Sequence, residues 1–282
     1  MKIVLTGTNG NLGRALVKYL QNAHELLCCC HGAVPVETEN IRYISMASRD
    51  FQAQVADFDG DCLIHAAASY GGHGETIDRL VSANVSISVK MFEIAKANNY
   101  KRVLYCNTAL QEQVSDYALS KHQAAQWGER ILGDRFINVL LQIFYGEMCD
   151  DSNLITNMIK KALRSQTIDL TVGTQKRDLI HLNDICSAVE LILRTEKLKQ
   201  RDIPLGTGHS VPFREIMEYI NVLCGQKGQL NFGKIPLRVH EPVECVADIR
   251  FLSNLGWRAQ YDYKTGIKQV ADKIISEEGK RR

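Results

Sequence analysis

Lys2-Ile3-Val4-Leu5, followed by Thr6-Gly7-Thr8-Asn9-Gly10-Asn11-Leu12-Gly13, is the stretch that decides the fold. The first four residues favour a short buried strand, and apolar residues then recur at helical steps at Leu12, Leu16, Tyr19 and Leu20. A helix that begins just after a glycine turn has unpaired N–H groups and the positive end of its dipole at its start, where an anionic phosphate can bind. The order strand, glycine turn, helix therefore predicts a phosphate-binding turn.

The three glycines have separate tasks in such a turn. Gly7 permits the tight turn, Gly10 lets the backbone approach a pyrophosphate, and Gly13 lets the helix lie close to the strand. Their spacing is Gly-x-x-Gly-x-x-Gly, whereas the commoner dinucleotide motif is Gly-x-Gly-x-x-Gly. On its own, the stretch also fits an ordinary strand-to-helix turn.

Composition excludes several classes of protein. The 282 residues are 45% apolar and 23% charged, which is ordinary for a globular protein with one large α/β domain or a domain and an appendage. A net charge of +2 argues against nucleic-acid binding, and no apolar run is long enough to span a membrane. We expect no metal site, because Cys28–Cys30 and His31 have no second ligand pair at the usual spacing. Without a signal-peptide pattern, the nine cysteines indicate reduced thiols in the cytoplasm.

Further strands and helices alternate along the first half of the chain. Apolar runs predict strands at 24–30, 41–46, 61–65 and 101–106, and helical periodicity predicts helices at 75–98 and 116–132. Alternating strands and helices are typical of a parallel sheet. We therefore predict an α/β protein with a Rossmann-type doubly wound parallel sheet.

The ends of the second and fourth predicted strands bear on the cofactor. An acidic residue after the second strand would bind the adenosine ribose of NAD, but the chain there reads Cys30-His31-Gly32-Ala33-Val34, which favours NADPH. Arg14 is a candidate for the 2′-phosphate, with a solvated surface position as its alternative. Ala66, Ala67 and Ala68 would let a flat cofactor lie against the backbone, although tight helix–sheet packing also explains them. The glycine-rich loop from Tyr70 to Gly74 is either a flap over the substrate or a flexible connection.

Tyr117 and Lys121 carry the predicted chemistry. Four residues apart on one helix, they lie on one face, where the lysine ammonium should favour the phenolate and lower the pKa of the phenol. Thr108, at the end of the fifth strand, supplies a hydroxyl that can hold a carbonyl oxygen. The pair alone is a weak signal, but together with the glycine turn and the strand order it is a strong one.

These segments resemble the extended short-chain dehydrogenase/reductase superfamily, in its nucleotide-sugar epimerase/dehydratase branch. The resemblance also covers Ala83-Asn84-Val85, Phe144-Tyr145-Gly146 and the stretch from Arg177 to Asp184, and it is greatest to CDP-paratose and CDP-abequose synthases. It implies NADPH-dependent reduction of a 4-keto nucleotide sugar by a homodimer that pairs helices 75–98 and 116–132. Asn107, where serine is more usual, and the short loop 109–116 depart from the family pattern and affect the position of Thr108.

The resemblance implies three sets of site residues. The catalytic residues are Thr108, Tyr117 and Lys121. The cofactor-binding residues are Gly7, Asn9, Gly10, Asn11, Leu12, Gly13, Arg14, Ala66, Ala67, Ala68, Tyr117 and Lys121. The substrate-binding residues are Tyr70, Asn84, Thr108, Tyr145, Arg177 and Arg238. For Arg177 and Arg238, a guanidinium fork matches the oxygens of a diphosphate, and a surface salt bridge is the alternative.

Three other functions remain to be weighed. An epimerase that keeps NAD bound would oxidise and then re-reduce one carbon, which suits a tight NAD site, but the missing acid after the second strand counts against it. A 4,6-dehydratase needs an Asp-Glu pair where this chain has Ala109 and Leu110, so dehydration is not expected. A catalytically silent NADP(H)-binding sensor would not need the phenol of Tyr117.

We expect residues 1–145 to form the dinucleotide-binding domain and 146–282 mainly a small substrate-binding lobe, interleaved with late elements of the sheet.

Overall fold

The computed structural model describes residues 1–31, 38–72 and 74–279. The strands in chain order are β1 Lys2–Thr6, β2 Glu25–Cys30, β3 Ile41–Ser45, β4 Cys62–His65, β5 Arg102–Thr108, β6 Phe136–Leu141, β7 Ile143–Tyr145, β8 Thr167–Leu170, β9 Lys176–His181, β10 Asp202–Leu205, β11 Ser210–Pro212, β12 Gln229–Phe232 and β13 Glu244–Cys245. The helices are α1 Asn11–Leu20, α2 Phe51–Phe58, α3 Ile77–Val81, α4 Ile87–Ala97, α5 Asp116–Leu132, α6 Leu154–Leu163, α7 Leu182–Arg194, α8 Phe213–Leu223, α9 Arg250–Asn254 and α10 Tyr263–Gly279. In these ranges, no helix has the length and apolar character needed to cross a membrane.

A parallel sheet forms the centre of the first compact unit, which comprises Met1–Leu141 and Val189–Ile203. In the described part of the chain it has seven strands, in the order β3-β2-β1-β4-β5-β6-β10. The order reverses between β1 and β4, and in doubly wound sheets ligands bind at such a reversal, outside the carboxyl ends of the strands. The predicted Rossmann-type sheet is therefore confirmed.

Apolar side chains on both faces of these strands explain why the sheet is buried. Val4, Leu63, Val103 and Tyr105 pack in one core with Phe92 from α4 and Phe136 from β6. A parallel strand that is buried on both faces has a continuous run of apolar residues in the sequence. Such runs allowed β1, β4 and β5 to be recognised.

The second compact unit comprises Gln142–Ala188 and Pro204–Arg282. Its strands form two small sheets, one with β11, β9, β13 and β7, and the other with β12 and β8. Helices α6, α8 and α10 pack around a core that includes Tyr145, Ile159, Ile216 and Ile267. This unit thus has its own apolar core.

The bounds of the predicted elements lie within two residues of those in the structure, with one informative difference. The predicted helix 75–98 is interrupted, because Ser82–Ser86 forms a π-helical turn between α3 and α4. A π turn contains one residue more per turn than an α-helix and often marks a functional site. Here it contains Asn84, one of the predicted site residues.

Candidate active site

The glycine turn after β1 lies directly against the end of β4. Gly7 has a φ of +74°, and a Cβ atom there would lie 2.6 Å from the carbonyl carbon of Ala66. A Cβ on Gly13 would overlap the carbonyl oxygen of Gly7, which also accepts a 2.9 Å hydrogen bond from the N–H of Gly10. Close backbone packing therefore requires glycine at Gly7 and Gly13, whereas Gly10 leaves more space.

The start of α1 is suited to an anion. The first intrahelical hydrogen bond runs from the N–H of Arg14 to the carbonyl oxygen of Gly10 over 3.0 Å, so the earlier N–H groups have no acceptor within the helix. No acidic residue lies in the first turn. Since these N–H groups sit at the positive end of the helix dipole, the turn fits the pyrophosphate of a dinucleotide.

Arg14 and Asn9 brace this turn. The guanidinium donates to the carbonyl oxygen of Asn9 over 2.6 Å and to Oδ1 of Asn11 over 2.7 Å, and Nδ2 of Asn9 donates to the carbonyl oxygen of His31 over 3.0 Å. These bonds join the turn to the end of β2. The predicted NADPH preference depends on Gly32, Ala33 and Val34, which lie outside the described residues.

Thr108 occupies the last position of β5, two residues beyond the predicted end of that strand. Its side chain is buried, Oγ1 accepts a 3.2 Å hydrogen bond from the N–H of Leu110, and its own N–H donates to Oδ1 of Asn107 over 2.8 Å. Asn107 thus stabilises the backbone of Thr108, and the hydroxyl is held by the turn that follows.

Tyr117 and Lys121 lie in the first two turns of α5, which Ser115 caps by accepting a hydrogen bond from the N–H of Ala118. The side chain of Lys121 is fully enclosed, with an exposure of 1%, and Nζ lies 4.1 Å from the centre of the Tyr105 ring. Among the described residues, Nζ has no hydrogen-bond acceptor. Burial lowers the pKa of Lys121 to about 7.

A buried amine without an acceptor is costly unless a ligand completes the site. The hydroxyls of a cofactor ribose are acceptors of the required kind, so this end of the site also fits a dinucleotide. Gly7, Gly10 and Gly13 would hold its pyrophosphate, and Lys121 its nicotinamide ribose.

The pKa of Tyr117 differs from the sequence-based expectation. Burial raises it well above the ordinary value of 10, and the neighbouring hydroxyls of Tyr70 and Tyr105 raise it further. The expected lowering by the lysine is absent, because burial depresses the pKa of Lys121 itself and its amine lies over the Tyr105 ring. The ring of Tyr70 lies on that of Tyr117, with centroids 4.8 Å apart and planes at 31°.

A buried histidine on β4, His65, supports the site, and no sequence pattern indicated its role. Nδ1 of His65 and Oγ1 of Thr6 are 2.7 Å apart, and Nε2 lies 2.9 Å from Oγ of Ser88. The imidazole also stacks on Tyr105, with centroids 5.8 Å apart. Burial, and to a lesser extent the charge of Lys121, lowers the pKa of His65 to about 3. The imidazole of His65 is therefore neutral, and its contacts connect β1, β4, α4 and β5.

Asn84 holds the start of the loop that leads to Tyr70. Its Oδ1 accepts from the N–H of Ser69 over 2.7 Å, and its Nδ2 donates to the carbonyl oxygen of Ser69 over 2.8 Å and to Oγ of Ser120 over 2.9 Å. The side chain is fully buried. These contacts give Asn84 a structural part in the site, and its contact with substrate stays a prediction.

The chain turns at Ala66, Ala67 and Ala68, just after β4, beside the glycine turn. The N–H of Ala67 donates to Oγ1 of Thr6 over 3.3 Å. Ala66 and Ala67 are partly buried and Ala68 is exposed. Their small side chains lie at the point where the strand order reverses.

The remaining predicted substrate residues belong to the second unit. Tyr145 is fully buried in its core and donates to the carbonyl oxygen of Asp262 over 3.3 Å. Arg177 is 4% exposed, pairs with Glu241, and donates to the carbonyl oxygen of Pro242 over 3.0 Å. Arg238 is exposed.

Within the second unit, the stretch from Arg177 to Asp184 is therefore a structural element. Asp178 accepts from the N–H groups of Thr207, Gly208 and Ala247 at 2.9–3.2 Å. The diphosphate contacts expected of Arg177 and Arg238 stay predictions.

Comparison with known sequences decides the family. The profile of the NAD dependent epimerase/dehydratase family matches residues 3–206. The chain belongs to this family. The predicted resemblance is thus confirmed, and the chain is an enzyme that uses a nicotinamide cofactor.

The chain is also similar to curated relatives and, in its fold, to solved structures. A CDP-abequose synthase of Salmonella muenchen is 27% identical over 74% of this chain and 75% of its own length. The enzyme of the same name from Salmonella typhimurium is 22% identical over 96% of this chain and 98% of its own length. The structure of a UDP-glucuronic acid 4-epimerase from Bacillus cereus, in complex with UDP-glucuronic acid and NAD, superposes with a TM-score of 0.85 at 19% identity, over 98% of this chain and all of its own.

Proposed function

We propose that this enzyme reduces the C4 ketone of a nucleotide-activated 4-keto-6-deoxy or 4-keto-3,6-dideoxy sugar, with NADPH, in the biosynthesis of deoxysugars or surface polysaccharides. The observation that carries the proposal is the combination at the end of β5 and the start of α5. Thr108, Tyr117 and Lys121 are all present, while Ala109 and Leu110 stand where a dehydratase has its acid and base. The similarity to two CDP-abequose synthases supports the same reading.

The residues of the chain have separate tasks in this reaction. When bound, the nicotinamide cofactor supplies the hydride. Oη of Tyr117 donates its proton to the C4 oxygen, and the high pKa of this phenol keeps the proton available at neutral pH. Oγ1 of Thr108 donates a hydrogen bond to the same oxygen, and Lys121 holds the cofactor ribose.

The test is a screen of the purified protein with NADPH or NADH and CDP-, dTDP-, GDP- and UDP-linked 4-keto sugars. We expect consumption of NADPH with at least one of them. Tyr117→Phe should lose turnover by about two to four orders of magnitude, because a positioned proton donor contributes a factor of that size. Cofactor affinity, measured by calorimetry, should stay near that of the wild type.

Tyr19→Phe is a matched control, since Tyr19 is an exposed tyrosine on α1. It should react at the wild-type rate. Unchanged turnover in Tyr117→Phe would exclude Tyr117 as the proton donor, and no NADPH consumption with any of the sugars would exclude the reductase.

An epimerase that retains NAD is the second candidate. The solved Bacillus cereus epimerase, which has this fold, is in complex with NAD. Heating the purified protein and measuring the released nucleotide separates the two candidates. We expect no stoichiometric NAD, whereas one equivalent of NAD per chain would favour the epimerase.

A further inference from the structure

A continuous series of hydrogen bonds runs through the core of the first unit, and it begins beside the glycine turn. Oγ1 of Thr6, the last residue of β1, lies 2.7 Å from Nδ1 of His65 and accepts a 3.3 Å hydrogen bond from the N–H of Ala67. Nε2 of His65 lies 2.9 Å from Oγ of Ser88 on α4. The side chains of Thr6, His65 and Ser88 are fully buried, so bulk water cannot replace these partners.

The series continues from α4 to the helix that carries the proton donor. Oγ of Ser88 donates to the carbonyl oxygen of Asn84 over 2.6 Å, and Nδ2 of Asn84 donates to Oγ of Ser120 over 2.9 Å. Oγ of Ser120 in turn donates to the carbonyl oxygen of Tyr117 over 2.8 Å. The hydrogen bonds thus connect the end of β1, where the glycine turn begins, with the first turn of α5.

The direction of the central hydrogen bonds follows from the carbonyl oxygen of Asn84, which can only accept. Ser88 has one hydroxyl hydrogen and donates it to this carbonyl, so towards His65 it can only accept. Nε2 of His65 must therefore carry a proton. Burial lowers the pKa of His65 to about 3, so the ring is neutral. Nδ1 thus carries no proton and accepts a hydrogen bond from the hydroxyl of Thr6.

From this arrangement we propose that His65, as the tautomer with its proton on Nε2, is a positioning residue for Tyr117. It sets the place of the first turn of α5 relative to the glycine turn, and so the place of the proton donor relative to the cofactor. The inference rests on the proposed reductase function. His65 acts only through the side chains that follow it in the series, and it transfers no proton. A misplacement of about 1 Å can lower an enzymatic rate by about 100-fold, so such a bond affects turnover from a distance.

The first test does not require turnover. In protein labelled with ¹⁵N in histidine, two-bond ¹H–¹⁵N spectra should show His65 with a proton on Nε2 and none on Nδ1. This state should persist between about pH 5 and pH 8, the range in which an ordinary histidine changes its charge. A proton on Nδ1, or a titration of His65 within this range, would overturn the inference even if the enzyme proves to be a reductase.

The second test removes one hydrogen bond of the series. Ser88→Ala leaves the N–H at Nε2 of His65 without its acceptor, so kcat should fall by roughly tenfold to a hundredfold. The affinity for NADPH, measured by calorimetry, should stay within about twofold of that of the wild type. Ser86→Ala is the matched control, because Ser86 is an exposed serine two residues earlier, and it should react at the wild-type rate. An unchanged kcat in Ser88→Ala, or a loss of NADPH affinity as large as the loss in kcat, would exclude the positioning role.

A third measurement separates positioning of Tyr117 from general damage to the fold. A residue that acts through the hydroxyl of Tyr117 has nothing left to position once that hydroxyl is removed. Ser88→Ala should therefore lower turnover much less in the Tyr117→Phe background than in the wild type. Equal losses in the two backgrounds would mean that the series only maintains the fold. Wild-type turnover with the 4-keto sugars tests the proposed function separately.

Discussion

At the scale of single residues, the enclosed amine of Lys121 has a consequence for stability. Its pKa is about 7 in the folded protein and 10.5 in an ordinary setting. At a pH between these two pKa values, the unfolded chain binds a proton that the folded chain does not. Folding therefore becomes less favourable as the pH falls from about 10.5 to 7. Below pH 7 this cost is constant.

Lys121→Met should therefore stabilise the cofactor-free protein at neutral pH while abolishing turnover. We expect a gain in the free energy of unfolding on the order of a few kcal/mol at pH 7, reduced by the lost contact with the Tyr105 ring, and shrinking towards pH 10. Urea unfolding of both proteins across this range checks it. Lys96→Met, on the exposed surface of α4, controls for the loss of a lysine. A gain of the same size at pH 7 and pH 10 would contradict the electrostatic cause.

The same residues mark how far the sequence could lead. Residue type and spacing were enough to place Tyr117 and Lys121 on one helix and Thr108 at a strand end. The pKa values of Tyr117 and Lys121 were not accessible in this way, because they depend on burial and, for Tyr117, on Tyr70 and Tyr105, which come from separate parts of the chain. Contacts of that kind leave no periodic signal in the sequence.

At the scale of elements, the glycine turn allows two substitutions to be compared within one motif. A Cβ on Gly13 would overlap the carbonyl oxygen of Gly7, while a Cβ on Gly10 would lie 3.3 Å from the same oxygen. Gly13→Ala must push α1 away from β1 and should lower the free energy of unfolding by roughly 1–3 kcal/mol.

Gly10→Ala should leave the stability of the cofactor-free protein near that of the wild type. It should nevertheless weaken NADPH binding, because its methyl group lies where the backbone approaches the pyrophosphate. Thermal unfolding and calorimetric titration of both variants check this. Equal stability losses, or wild-type affinity in Gly10→Ala, would argue against the assignment of the turn.

Apolar runs predicted the strands β1 to β5, and helical periodicity predicted the exact bounds of α5, since a long regular helix repeats its apolar positions. It missed the π turn at Ser82–Ser86, because one additional residue within a turn hardly changes an apolar pattern. The turn matters for the site, as it contains Asn84, which holds Ser69 beside the loop of Tyr70. The small strands of the second unit were also missed, being only two to six residues long.

At the scale of the whole molecule, the chain crosses between its two compact units more than once. Residues Val189–Ile203 return to the first unit after the second has begun, so the later strand β10 joins the same sheet as β1. The family resemblance implied that late elements of the sheet lie within the second half of the chain. The places where the chain crosses depend on long-range pairing, which local patterns do not reveal.

The helices α3 and α5 carry exposed apolar side chains that support the expected homodimer. Ile77 is 65% exposed, Val81 38%, Leu119 40% and Trp127 48%. Large apolar side chains at such positions favour burial against a partner. We predict that the protein in solution has twice the chain mass of 31.7 kDa, and that Trp127→Lys shifts it towards the monomer.

Light scattering after size exclusion, at several protein concentrations, measures this directly. Val222→Lys is the matched control, because Val222 is 56% exposed on α8, in the second unit. It should leave the mass unchanged. A wild type that is monomeric at all concentrations, or a Trp127→Lys variant that stays dimeric, would exclude the pairing of these helices. On α5, Lys121 lies between Leu119 and Trp127, and Tyr117 lies within one turn of Leu119. If pairing holds this helix in place, loss of the dimer should therefore also lower turnover.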